Sequence, residues 1–313
     1  MMELNKGLPT RDAYGEAIVE LGLANPDIYV VDCDIGKSCK TLEFIKQCPD
    51  QHVNVGIAEQ NGCGVAAGLA TCGKIPFVTT YAVFGSMRML EQIRQEVCYP
   101  KLNVKIACSH GGLTPANDGA SHQGIEDLGL LRSIPNMTVV APADFHSAKA
   151  LVKAAAHWYG PVYLRFTRDA VPFIYGPEQP FEIGKAVLLS EGSDITLISN
   201  GDVLGLCVKT KEALENSGIS VRLLDMHTIK PIDRQAVLDS IATTKGIVTV
   251  EDHNILNGLG SAVAEIVAET GGCRMRRIGI QDQFGESAPY ERLLAKNGIT
   301  LEGIVQAVHE LLS

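Results

Sequence analysis

The chain has 313 residues, enough for two ordinary domains, and its 46% hydrophobic and 20% charged content is that of a globular protein with two cores. A formal net charge of −9 argues against a general nucleic-acid surface, which needs a net basic patch, but leaves room for a local basic pocket. Nine cysteines form no CxxC pair and no regular framework, so they are expected to be reduced.

The N-terminus, MMELNKGLPTRDAYGEAIVEL, has no apolar stretch fit for a signal peptide, and no run reaches the roughly 18 apolar residues of a membrane span. A cytoplasmic location and no membrane partner are expected. Short β-branched runs then recur between helical patterns: IYVVDCDI from Ile28, FVTTYAVF from Phe77, VKIACSH from Val104, TVVAPAD from Thr138 and VYLRFT from Val162. That alternation predicts a mainly parallel sheet with helices on both faces. The stretch VPFIYGPEQPFEIG has three prolines and no helical period and reads as a linker. It is placed at 173–184, between a first domain at 1–172 and a second at 185–313. The second series is ITLISNG from Ile195, VRLLDM from Val221, GIVTVED from Gly246 and RMRRIGI from Arg274, separated by amphipathic segments such as VLGLCVKTKEALENSG. The fold class expected is α/β, as two successive three-layer domains with mainly parallel sheets.

In open α/β sheets ligands gather beyond the C-terminal ends of strands, which makes Asp34, Tyr81, Phe84 and His110 candidates. Between the first two runs lies NVGIAEQNGCGVAAGLA, where Glu59 is the only charged residue among mostly small ones. A buried carboxylate costs several kcal/mol unless it is protonated or hydrogen-bonded, so Glu59 needs a partner, on the order of the penalties for isolated ions. The loop SHGGLTPANDGASHQGIEDL concentrates His110, Asp118, His122 and Gln123 within fourteen positions. It reads either as a polar substrate pocket with histidines available for proton transfer, or as a solvated turn in which Asn117 and Asp118 cap local backbone and Glu126 opens a helix. No Cys or carboxylate stands at familiar zinc spacing, and no metal is expected in this chain. NGLGSAVAE from Asn257 lacks the full dinucleotide fingerprint and reads as a tight turn into a helix.

The order of IAEQN, YAVF, SHGGLTPANDGASHQGIEDLGLLRSIPNM and GPVYLRFTRD resembles the pyrimidine-binding domain of transketolase. VEDH at Val250 and FGES at Phe284 are similar to the C-terminal domain of the same family. The resemblance implies thiamine diphosphate as cofactor. Glu59 then matches the glutamate that hydrogen-bonds the aminopyrimidine N1′ and promotes the imino tautomer that removes the C2 proton. Surrounding small residues would exclude water, so that its carboxyl could stay protonated. Tyr81 and Phe84 match the aromatic pair on the pyrimidine ring. Asp34 matches an acidic position against the cofactor, its competing reading being a strand-end Asp that caps the next turn. By the same resemblance Asp118 and His122 contact donor hydroxyls, with His122 placed for proton transfer, and His110 and Arg168 contact a substrate phosphate, where a guanidinium fork suits a terminal phosphate. Arg165 receives no role.

The metal-binding GDG element of thiamine-diphosphate enzymes is absent from the sequence. The expected arrangement is a split enzyme, in which a separate N-terminal subunit binds the diphosphate and a divalent metal (Mg or Ca), as an α2β2 heterotetramer. The Gly and Ala helix after Glu59 fits a close symmetric contact. The implied reaction is transfer of a two-carbon ketol unit from a ketose phosphate to an aldose acceptor. A 1-deoxyxylulose-5-phosphate synthase has the same domain order, but its arginine six residues after the tyrosine is Met87 here, and the adjacent Arg88 is expected to face elsewhere. The beta subunit of pyruvate dehydrogenase is a further split chain, with a different substrate loop. A non-catalytic relic of the fold would have no reason to keep Glu59, Phe84, His110, Asp118, His122 and Arg168 together.

Overall fold

The computed structural model describes residues 7–313. Twelve strands form along the described chain: β1 (Ile28–Asp32), β2 (His52–Asn54), β3 (Ile75–Tyr81), β4 (Lys105–Ser109), β5 (Thr138–Val140), β6 (Val162–Arg165), β7 (Val187–Ser190), β8 (Ile195–Ser199), β9 (Val221–Asp225), β10 (Thr228–Lys230), β11 (Gly246–Asn254) and β12 (Arg274–Ile280). They make a seven-stranded sheet in the order β10-β5-β6-β4-β3-β1-β2 and a five-stranded sheet in the order β12-β11-β8-β9-β7. Every pairing is parallel except β10 with β5 and β7 with β9. The α/β class with two mainly parallel sheets is therefore what the chain adopts. The physical cause is visible in β4, whose five residues are all buried: a strand covered on both faces reads as a continuous run and calls for helices on both sides.

All nine runs read from the sequence are strands, and three strands were not foreseen. β2 and β10 are only three residues long, and β7 is a half-buried antiparallel edge, so none of them carries a pattern of its own. β10 departs most from the expected order. It follows β9 in the second sheet but crosses back to pair antiparallel with β5, Thr228 opposite Val140, as the last strand of the first sheet. Nor is the proline-rich stretch a free tether. Asp144 Oδ2 accepts the backbone N–H groups of Ile174 (2.8 Å) and Tyr175 (2.9 Å), and the Tyr175 hydroxyl donates to Asp225 of β9 at 2.7 Å. Val171, Tyr175 and Ile183 are buried, so the segment is a packed strap across both layers. All nine cysteines are free, and among the described residues no helix is long and apolar enough to cross a membrane.

Candidate active site

β1, β3 and β4 lie side by side, and their C-terminal ends gather the candidate residues along one edge. Pairing of β3 with β4 sets Tyr81 opposite Ser109, so the residues that follow each strand are neighbours. Tyr81 enters a helical turn (Ala82–Met87) that carries Phe84, and the two rings stack with centroids 5.6 Å apart at 27°. On the other side the ring of His110 lies 3.8 Å from that of Tyr81. His122, brought back by the glycine-rich loop, closes the group at 6.0 Å from Tyr81 and 5.5 Å from Phe84, edge-on to the latter. Four rings from two sequence segments thus share one mouth.

His110 holds the left-handed backbone (φ 62°), with Ser109 Oγ 2.7 Å from its Nδ1, and it is almost fully buried. Burial, then the nearby charges of Arg11 and Arg168, push its pKa down to about 3. A neutral imidazole in the field of two guanidinium groups is an environment that favours an anion, because the histidine offers a hydrogen bond without adding charge.

Arg168 forms an ion pair with Asp118 (2.9 Å) and donates to the carbonyl of Pro115 at 2.7 Å. Arg11, which sequence reasoning passed over, reaches the same place because of a distant clamp. Thr10 N donates to Thr167 Oγ1 at 3.1 Å and Thr167 N to Thr10 Oγ1 at 2.7 Å, across 157 residues of sequence. That pins the first turn of the helix Thr10–Ala24 against the segment after β6 and sets Arg11, which also donates to Ser38 O at 3.0 Å, near His110. Spacing within the sequence carries no signal for this.

Glu59 opens the helix Glu59–Thr71 and is buried, and its partner is Arg88: Nη1 donates to Oε1 at 2.9 Å. The expectation that Arg88 faces elsewhere is corrected here. Arg88 N donates to Phe84 O at 3.0 Å, so the helical turn continues through Arg88, and residues four apart on a helix share a face. The guanidinium carbon accordingly sits 4.0 Å from the centroid of the Phe84 ring, while Met87 points out and is 42% exposed. The expected apolar seal over Glu59 is also revised. The small residues line the body of its helix, and the carboxylate looks into a cavity of about 400 Å³ bordered by Ile57, Ala58, Gln60, Asn61 and Arg88.

Asp34 stands apart from the ring cluster. It is exposed, with φ 65°, and accepts from Asn54 Nδ2 at 3.0 Å. Asn54 in turn holds Gly56 N at 2.8 Å, in the turn that leads to Glu59. The turn-capping role weighed for Asp34 is performed by Asp32, whose two oxygens accept from Ile35 N (2.9 Å) and Thr41 Oγ1 (2.7 Å). Gln123 faces inward, donating to Ala116 O and Glu286 O, and a Cβ at Gly285 would strike its amide oxygen.

Residues 6–173 match the family described as transketolase, pyrimidine binding domain, and residues 184–304 match transketolase, C-terminal domain. The chain belongs to the transketolase family. It is 44% identical over 303 residues (96% of this chain, 95% of the other) to a Methanocaldococcus jannaschii protein assigned by name as a transketolase C-terminal section. A solved structure titled as a split gene transketolase, inactive beta4 tetramer, is 47% identical with a TM-score of 0.90, covering 98% of both chains. Mouse transketolase is 37% identical over 98% of this chain, which spans 49% of that enzyme.

A transketolase pyrimidine-binding domain implies dependence on thiamine diphosphate, and the residues here fit its aminopyrimidine. A flat group that donates a hydrogen bond, the Arg88 guanidinium, already stacks on Phe84 and meets Glu59. The transketolase C-terminal domain packs against the pyrimidine-binding domain through Arg165, the residue that the sequence left without a role. Arg165 is buried, 3.1 Å from Asp127 Oδ2, and its Nη2 donates to Gly124 O (3.2 Å) and Asp252 O (2.7 Å). Asp252 Oδ2 accepts Leu113 N at 2.9 Å, and the Tyr290 hydroxyl bridges Asp202 and Asp252. The VEDH segment therefore braces the glycine-rich loop. Its Glu251 accepts Leu259 N (2.7 Å) and Gly260 N (2.8 Å), filling the start of the helix Leu259–Thr270 with the chain's own carboxylate, in accord with the tight turn read there. Among the described residues no group of three or more His, Cys, Asp or Glu is arranged to hold a metal ion.

Proposed function

We propose that this chain is the pyrimidine-binding half of a two-subunit transketolase that transfers a two-carbon ketol unit from a ketose phosphate to an aldose acceptor. The observation that supports it best is the cluster of Tyr81, Phe84, His110 and His122, with Glu59 linked to Phe84 through Arg88 and the charges of Arg11 and Arg168 felt at His110. Bound thiamine diphosphate supplies the nucleophilic carbon that takes the two-carbon unit. Tyr81 and Phe84 pack its pyrimidine ring, Glu59 exchanges a proton at the ring nitrogen, and Asp34 lies at the rim. Asp118 and His122 hold the donor hydroxyls, and His122 moves the proton. His110, Arg168 and Arg11 hold the phosphate.

The diphosphate and a divalent metal, Mg or Ca, are assigned to a separate subunit, consistent with a close relative titled as a split gene transketolase. An α2β2 assembly is proposed, with the functional domains divided at 173–184. Arg88 facing Glu59 weakens the departure that counted against a 1-deoxyxylulose-5-phosphate synthase reading, so product analysis must also look for 1-deoxyxylulose 5-phosphate.

Calorimetric titration of thiamine diphosphate with magnesium, into this chain alone and then into its mixture with a diphosphate-binding subunit, tests the proposal. Tight binding only in the mixture is expected. Tight binding by the chain alone would overturn the split site.

A further inference from the structure

Arg88 makes two contacts at once, and both belong to groups assigned above to the cofactor. Its guanidinium lies 4.0 Å from the centroid of the Phe84 ring, and its Nη1 donates to Glu59 Oε1 at 2.9 Å. One ring face and one carboxylate oxygen are the recognition elements that a planar, nitrogen-bearing ring needs at this place, and Arg88 and such a ring cannot use them together. We propose that Arg88 is a displaceable occupant of the pyrimidine site, holding the chain closed to the aminopyrimidine until it is pushed aside.

The asymmetry of the pair suits such a device. The Glu59 side chain is 6% exposed, whereas that of Arg88 is 51% exposed. A carboxylate buried to that degree is costly to leave alone, and Arg88 keeps it paired while the ring is absent. The guanidinium has one side already in water, so the pair is screened and its release returns a long flexible cation to solvent. Room to move is adjacent, in the cavity of about 400 Å³ that Ile57, Ala58, Gln60 and Asn61 border. The arrangement follows from local geometry: Arg88 stands one helical turn after Phe84, so the residue that presents the stacking face also presents its competitor. Because only the fraction of molecules with Arg88 displaced can bind, the apparent affinity for a pyrimidine falls by that fraction.

This inference rests on the reading of Glu59 and Phe84 as the pyrimidine site. The probe is 4-amino-5-hydroxymethyl-2-methylpyrimidine, titrated by NMR into the full chain as wild type, Arg88→Ala and Arg88→Gln, with melting curves to confirm that each variant is folded. Both variants are expected to bind about tenfold or more tightly than wild type, and adding Phe84→Ala should remove the gain. Equal or weaker binding by the folded variants, or no binding by any of the three proteins, overturns the proposal. Thiamine diphosphate binding to the complex with the diphosphate subunit separates the two levels. If Phe84→Ala leaves that affinity unchanged, the site reading fails and the inference with it. If Phe84→Ala weakens it while the Arg88 variants show no gain, only the inference about Arg88 fails.

Discussion

Arg165, at the end of β6, donates from Nη2 to the main-chain carbonyl of Asp252 on β11, 2.7 Å away and 87 residues later. With Asp127 at 3.1 Å from Nε, this guanidinium ties the first sheet, the glycine-rich loop and the second sheet together in a buried place. Gly111 and Gly112 let it pass, since a Cβ on either would run into the Arg165 side chain, and Gly112 also holds φ 60°. Removing one member of a buried charged network strands the others, so Arg165→Ala should cost about 3–5 kcal/mol of stability. Arg165→Lys should rescue little, because one ammonium cannot reproduce the fork. Denaturant midpoints of the three proteins check this, and a loss below about 1 kcal/mol would contradict the network's role.

Glu59→Ala should abolish turnover of the assembled enzyme, by at least about a hundredfold, as removal of a proton-transfer group does. Its fold should survive, because the partner left behind, Arg88, is half exposed and returns to water. Steady-state rates beside a melting curve decide it, and near wild-type turnover would remove Glu59 from the chemistry.

His122→Ala should lower turnover with less effect on cofactor affinity, since His122 meets Phe84 edge-on instead of sharing the stack of Tyr81 and Phe84. Unchanged donor kinetics would take His122 out of the scheme.

Arg168→Ala should raise the KM for phosphorylated donors by about ten- to a hundredfold, the worth of a charge-assisted hydrogen bond, and leave unphosphorylated donors nearly unaffected. Arg11→Ala should act in the same direction. An equal effect on both donor classes would show that Arg168 serves Asp118 and the loop instead of a phosphate.

His110 provides a pH signature. Its folded pKa of about 3 lies below the usual value of 6.5, so between those values the unfolded chain takes up a proton that the folded chain refuses. The stability linked to His110 is complete above pH 6.5 and is lost as pH falls towards 3. NMR should find this imidazole neutral at pH 5, and His110→Gln should flatten that part of the acid stability profile. Titration of His110 near 6.5 would contradict its burial in the field of the two arginines.

Much of the site was legible because its chemistry sits immediately after strands. Tyr81 ends one strand run and His110 follows the next in a β-α alternation, and parallel pairing of β3 with β4 then makes them neighbours. Helix periodicity places Arg88 under Phe84 as well, but the sequence reading aligned the position with Met87 and missed it. Arg11 and Arg165 were out of reach for a different reason. Their partners are set by the clamp between Thr10 and Thr167 and by the crossing from β6 to β11, and no local pattern encodes contacts 157 or 87 residues apart.

By itself, then, the sequence determined the α/β alternation, the strand ends where ligands gather and the motifs that mark the transketolase family, because these depend on residue type and on periodicities of two and 3.6. Tertiary structure decided which charges meet. A buried carboxylate or guanidinium must find an opposite charge or a carbonyl wherever the packed chain brings one, so Glu59 took Arg88, and Arg165 took Asp127 and the backbone of Asp252.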